Sequence, residues 1–190
     1  MAWTRRTGTP DVQLDIDTRD VNRLIRSLEA SEESVRKAVS RALRRTASAL
    51  RVRASKRIVP ELQLRRAMEF RRRLRNMKVR VDKTGGEVGI WVGLNDMGVS
   101  RFKGRAREYA GGATFRQTEF PGAFVAVHRG RRSIWKRSAA GRFPIVEQQL
   151  PIKDQIDPIL EDEIFPDAVQ IFLRLFMADL RARTIYGVGK

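Results

Sequence analysis

Between Ser31 and Pro60 the chain reads SEESVRKAVSRALRRTASALRVRASKRIVP, and the fold follows from how this stretch is read. Val35, Ala38, Val39, Ala42, Leu43, Thr46, Ala49 and Leu50 recur every three or four residues, the spacing of one face of an α-helix. Ser31 can cap that helix, and Glu32 and Glu33 fall in its first turn, where negative charge is favoured. Pro60, with no N–H to donate, ends it. Many inward positions are alanine, so a neighbouring element can approach closely. Arg36, Lys37, Arg41, Arg44, Arg45 and Arg51 occupy the opposite face.

Charge concentrates in the same region. From Arg36 to Arg80 there are seventeen lysines and arginines against Glu61 and Glu69, in a chain whose net charge is +17. The rest is close to neutral. Charge gathered in one segment gives a directed positive field, which suits a polyanionic partner; a merely solvated face is the plainer alternative.

Outward from this helix, residues 1–10 read as a flexible arm, and Val12, Leu14 and Ile16 alternate as a half-buried strand. Asp17 or Thr18 can cap a short helix with Val21, Leu24, Ile25 and Leu28 on its inner face. Beyond Pro60, Glu61 to Asn76 predicts a further helix. Its sparse apolar positions are Leu62, Leu64, Ala67, Met68, Phe70 and Leu74, among many arginines, so it reads as an extension over the surface or a segment ordered by a partner. Residues 17–76 are therefore expected to be helical and strongly basic. Residues 77–150 read as β-rich, beginning with a hairpin of Val79, Val81, Val88, Ile90 and Val92 about Gly85-Gly86. Residues 95–119 read as a long polar, glycine-rich loop. Gly122 to His128 and Ser133 to Arg137 predict a second hairpin across the basic turn Arg129-Gly-Arg-Arg132. Residues 154–186 read as helical, with Pro166 and Asp167 opening a final helix striped by Val169, Phe172, Leu173, Phe176 and Leu180. The expected class is α+β: an antiparallel β-meander packed against a long N-terminal amphipathic helix and a C-terminal helix, with an Arg-rich helical extension. The 190 residues suit one domain.

Several function classes find no support in the residues. There is no cysteine, hence no disulfide or thiolate site. The basic N-terminus lacks an apolar signal core, and the run Ile171–Leu180 is too short to cross a bilayer, so no membrane partner is expected. His128, the one histidine, ends a predicted strand beside Arg129 with no assignable acid or nucleophile, and it reads as an edge residue. Glu161, Asp162, Glu163 and Asp167 could face a hard cation, but they read more naturally as complements to a helix start or to a neighbour's arginines. An enzyme is not expected, nor is a cofactor or resident metal. Trp91, Trp135 and Phe124 could stack on bases, though aromatics on strands usually belong to a core. Helix-turn-helix, zinc and RNP-type patterns are all missing, so any DNA contact should be to the backbone and tolerant of sequence.

From Phe120 onward a family likeness emerges. The run Phe120-Pro-Gly-Ala-Phe124, a basic turn with Gly130, Ile134-Trp-Lys-Arg137 and Gly141-Arg-Phe-Pro-Ile145 resembles the prophage minor tail protein Z family of long-tailed phages. Pro166 matches the proline through which that family enters its final helix. The first half shares only the order of an alanine-rich helix, a basic helical segment and a hairpin. The acidic stretch from Asp157 to Glu163 departs from the family pattern, which is more basic there.

The resemblance implies a structural virion protein with a single tail-completion-like domain, at the head-proximal end of the tail (the neck), joining tail to head and assembled in the host cytoplasm. It implies a homo-oligomer, a six-fold ring around the DNA exit channel. The tail terminator, tail tube and head–tail connector would be its neighbours, and the genome a contact without sequence specificity. A tail terminator, a head–tail adaptor and a free DNA-binding protein are the alternatives. Candidate contacts to DNA or partner are Arg36, Arg41, Arg44, Arg45, Arg65, Arg66, Arg71, Arg72, Arg73 and Arg75. Candidate subunit-interface residues are Asp157, Glu161, Asp162, Glu163, Phe172 and Phe176, with the acidic Asp154–Asp167 segment facing the basic Arg36–Arg80 segment of the next copy in a heterologous ring contact.

Overall fold

The computed structural model describes residues 11–13, 31–76, 80–81, 86–87, 89–138, 141 and 143–187. Its helices and antiparallel sheets make an α+β chain with a long N-terminal helix and a C-terminal helix. The chain divides into two compact units, each assembled from separated segments. The first takes residues within 1–56, 71–93 and 158–190, the second 57–70 and 94–157.

The long helix runs from Glu32 to Glu61. Ser31 caps it, its Oγ accepting from the Ser34 N–H at 3.3 Å, and Pro60 lies next to its end. In the first unit Ala38, Ala42, Leu43, Thr46, Ala47, Leu50 and Ala54 form its buried seam, with the alanines keeping that side shallow. The final helix, Ala168–Tyr186, buries Ile171, Phe172, Phe176 and Leu180; the Phe172 and Phe176 rings stack 5.8 Å apart, 7° from parallel. Gly187 closes it in the left-handed region at φ 63°, donating its N–H to the Ala182 carbonyl. A π-helical turn, Ile159–Ile164, precedes it and buries Ile159, Leu160 and Ile164.

Three strands of this unit, β1 (Asp11–Gln13), β2 (Leu74–Asn76) and β5 (Gly89–Val92), pair in the order β1-β5-β2, all antiparallel. The expected hairpin is present and begins earlier, at Leu74. Leu74 faces Val92 and Asn76 faces Ile90, and the ladder resumes where β3 (Arg80–Val81) meets β4 (Gly86–Glu87). The expected arm at 1–10, the continuation of β1 through Leu14 and Ile16, and the helix expected from Asp17 to Leu28 lie outside the described residues.

The helix expected from Glu61 to Asn76 is not formed as one piece. Beyond Glu61, where the long helix ends, helical backbone is confined to Ala67–Arg71, and β2 follows. Gln63 turns into the left-handed region at φ 51°, and Leu64 forms a β-bridge with Phe102. Leu62 and Leu64, two positions apart, are both buried, which suits an extended backbone and not a 3.6-residue turn. The Arg65 N–H goes to the Arg101 carbonyl at 2.9 Å instead of up a helix. Leu62, Leu64, Phe70 and Leu74 all lie at 2% exposure or less, so the segment belongs to the interior rather than extending over the surface.

The second unit corrects the loop expected at 95–119. That stretch contains β6 (Met97–Gly98), a single 3-10 turn (Val99–Arg101), β7 (Ala106–Tyr109), β8 (Gly112–Phe115) and the start of β9 (Thr118–Pro121). Strands β7, β8 and β9 form an antiparallel meander whose inner face carries Ala113, Phe115 and Phe120. A second meander joins β10 (Ala123–His128), β11 (Arg131–Arg137) and β12 (Ile145–Glu147). β13 (Gln149–Leu150) pairs with β6, and a short helix, Lys153–Pro158, follows. Phe70, Phe102, Phe115, Met97, Ile134, Ile152 and Ile156 are fully enclosed. Each such side chain contributes about 1.5–3 kcal/mol by leaving water.

Candidate polyanion-contacting surface

In the first unit the long helix turns Arg36, Lys37, Arg41, Arg44 and Arg45 to solvent, as its periodicity requires. Their electrostatic situations differ. Lys37 pairs with Glu33 at 2.8 Å; that hydrogen bond and the Lys37 charge, with Arg36 adding to them, hold the Glu33 carboxyl below the usual glutamate range. Arg41 reaches Asp179 of the final helix at 3.2 Å. Arg44 and Arg45 meet no acid or carbonyl among the described residues, and neither does Arg72, exposed beyond the short helix. Arg71 donates to the Ser55 hydroxyl at 3.3 Å and Arg73 to the Gly93 carbonyl at 3.2 Å. The Arg75 side chain lies outside the described residues.

Two candidates belong to the second unit. Arg65 is spent on structure: its Nε donates to the Phe102 carbonyl at 2.8 Å and its Nη2 to that of Gly104 at 3.2 Å. Arg66 is exposed with no partner among the described residues. Of the ten candidate arginines, Arg41, Arg65, Arg71 and Arg73 are held by the fold, and Arg44, Arg45, Arg66 and Arg72 face outward unneutralised among the described residues.

The acidic candidates separate as well. Phe172 and Phe176 are core, at 2% and 0% exposure, so burial inside the chain removes them from the expected subunit interface. Asp157 pairs with Lys153 one turn earlier. Glu161, Asp162 and Glu163 are exposed on the π-helical turn. Asp167, at the start of the final helix, lies 2.5 Å from Arg53 on the long helix. At this pair the acidic and basic segments meet within one chain, where the sequence reading set them against each other across a subunit boundary.

Sequence reasoning missed two polar centres of the second unit. Arg116 sits at a hairpin turn with φ 56°, its guanidinium 5.4 Å from the Phe102 ring centre and 5.3 Å from that of Phe115. It donates to the Leu62 and Lys103 carbonyls at 3.3 and 3.0 Å, and burial draws its pKa down. Glu147 accepts from the Ser133 hydroxyl at 2.7 Å and the Ser100 N–H at 2.9 Å. Burial pushes its pKa up, but those hydrogen bonds and the nearby Arg101 outweigh it and hold the carboxyl below the ordinary glutamate value. The only local signal was an acid in a β-rich run, which says nothing of its partners.

His128 packs its ring edge-on to Trp135 at 5.1 Å, and among the described residues no three His, Asp or Glu side chains cluster as metal ligands. Among the same residues no helix is long and apolar enough to cross a membrane. What the arrangement offers is a set of planar, permanently charged donors facing outward, suited to phosphate or carboxylate groups. Comparison with protein-family models, curated proteins and solved structures finds no match.

Proposed function

We propose that this chain is a structural protein of a long-tailed phage virion, a minor tail or tail-completion protein of the neck. In this reading copies close into a six-fold ring around the DNA exit channel and join tail to head. The observation that carries it is the pair Arg44 and Arg45, exposed on a helix built for close packing along its other side and left unneutralised among the described residues. A ring around a passing genome needs sequence-indifferent positive charge of this kind. The run that resembles the tail protein family supports the reading in a second way; it begins at the end of β9 and continues through the paired strands β10 and β11.

The test is an amber codon in the phage gene that encodes the chain. Particles grown without suppression should show heads and tails that fail to join in electron micrographs, and suppressed particles should contain the chain in about six copies by quantitative mass spectrometry, as the cyclic symmetry of such rings requires. Normal infectious particles without the chain would refute the reading. The same exposed arginines favour a second reading, a free DNA-binding protein. It requires tight, salt-sensitive binding to naked duplex in the absence of other virion proteins.

A further inference from the structure

We propose that the β10–β11 hairpin, Ala123–Arg137, is a separate DNA-contacting element that seats its arginine tip in a groove of duplex DNA, taking backbone phosphates as its ligands. The inference concerns the second unit alone and holds whether or not the chain is a tail protein.

The hairpin carries Arg129, Arg131, Arg132, Lys136 and Arg137 and no acid. Its turn is Arg129-Gly130 with φ of 49° and 73°, the mirror-image two-residue turn that matches the twist of paired strands. The tip stands in open space: a side-chain carbon added at Gly130 would meet nothing within 4 Å. Arg129, Arg131 and Arg132 are exposed, their side chains without a hydrogen bond or ion pair among the described residues, and Val127 beside them is 65% exposed.

The base is fixed. Trp135 Nε1 donates to the Ala126 carbonyl at 3.0 Å, Glu108 accepts from the Val125 N–H at 2.6 Å, and Ser133 is held by Glu147. Arg137 lies over the Phe124 ring at 5.7 Å. Only the tip side chains would lose freedom on binding, which keeps the entropic cost of association low.

Register selects a groove over a flat partner. Arg131 pairs with His128 and Arg132 with Val127, and successive strand residues point to opposite faces. The charges therefore project to both sides of the ribbon, with Arg129 at its end. A flat acidic surface or a single extended chain can meet one side. The major groove, about 12 Å wide, admits a two-stranded ribbon and lines it with phosphates on both flanks.

The experiment measures binding of the full chain to two duplexes of unrelated sequence, to the matching single strands and to polyglutamate across a salt series. The triple variant Arg129→Gln/Arg131→Gln/Arg132→Gln should reduce the log–log salt slope on both duplexes by roughly 2 to 3, since each lost phosphate contact removes about 0.9. It should leave the weaker single-strand and polyglutamate binding little changed. A charge-matched control outside the hairpin, Lys103→Gln/Arg105→Gln/Arg107→Gln, should change the slope far less. An unchanged duplex slope, an equal effect of the control, or equal losses on single strands or polyglutamate would overturn the proposal. Thermal unfolding of both variants at the parent temperature shows that the fold is intact. Arg44→Gln/Arg45→Gln, measured alongside, reads the helix separately, so failure of the hairpin and failure of the helix give different patterns.

Discussion

Arg41 Nη1 lies 3.2 Å from Asp179 Oδ1, a contact between residues 138 positions apart that ties the long helix to the final one. The other oxygen of the same carboxylate accepts from Arg183 Nε at 2.7 Å. Asp179 is 8% exposed, so its charge depends on these two donors in place of water. Arg41 is itself more than half exposed, so the two partners carry unequal weight.

Asp179→Ala should therefore cost about 2–3 kcal/mol, because it strands the nearly buried Arg183 guanidinium. Arg41→Ala should cost under about 1 kcal/mol, as a solvent-screened partner does. Thermal unfolding of the two variants checks the ordering. Equal losses would show that the contact between helices, and not burial of Arg183, sets the energy.

Glu147 gives a pH signature. Its folded pKa lies below the ordinary 4.5, so the folded chain binds that proton more weakly than the unfolded chain does. The stabilisation is complete above about pH 4.5 and is lost as the pH falls through the lowered folded value. The melting-temperature gap between the parent and Glu147→Gln should be constant near neutrality and narrow on acidification below that point. A gap that holds constant down to pH 3 would show that the carboxylate charge contributes nothing.

Gly98 lies under the same carboxylate. A methyl group there would stand 2.7 Å from Glu147 Cδ and Oε2. A glutamate end usually swings aside, but this one is held by Ser133 and Ser100, so Gly98→Ala should destabilise by about 1–3 kcal/mol through overpacking. In a Glu147→Ala background the same substitution should cost much less. Additive costs in that double-mutant cycle would place the strain elsewhere.

Arg116 acts through stacking and forked donation together. Arg116→Lys keeps the charge and loses the planar group over Phe102 and Phe115, and it should lower stability by about 1–2 kcal/mol in denaturant unfolding. A neutral result would mean that charge alone suffices at this turn.

The legible parts of the chain were those whose signals are local. Ser31, the acidic first turn and the spacing from Val35 to Leu50 announce the long helix without reference to anything distant. Alternation about Gly85-Gly86 and the basic turn expected at Arg129-Gly-Arg-Arg132 do the same for the two hairpins, although the second return strand starts at Arg131, two residues earlier than expected. The short strands at 106–121 were missed because each spans four residues, too few for alternation to rise above glycine-rich, charged surroundings. The break after Glu61 was missed because Gln63 carries no mark of a positive φ, and the arginines around it are good helix formers. Which arginines the fold supplies with partners could not be read. Arg65 is occupied by the Phe102 carbonyl and Arg53 by Asp167, partners that only the fold brings near.

The interleaving of segments bears on how the chain is made. The second unit has all its pieces once residue 157 leaves the ribosome, whereas the first must wait for 158–190. Until then the apolar seam of Ala38, Leu43 and Leu50 lacks Phe172, Phe176 and Leu180, the last core residues of its unit to be synthesised. Nascent chains stalled before residue 158 should thus be the species most in need of a chaperone, and the most readily cut by protease along the first helix.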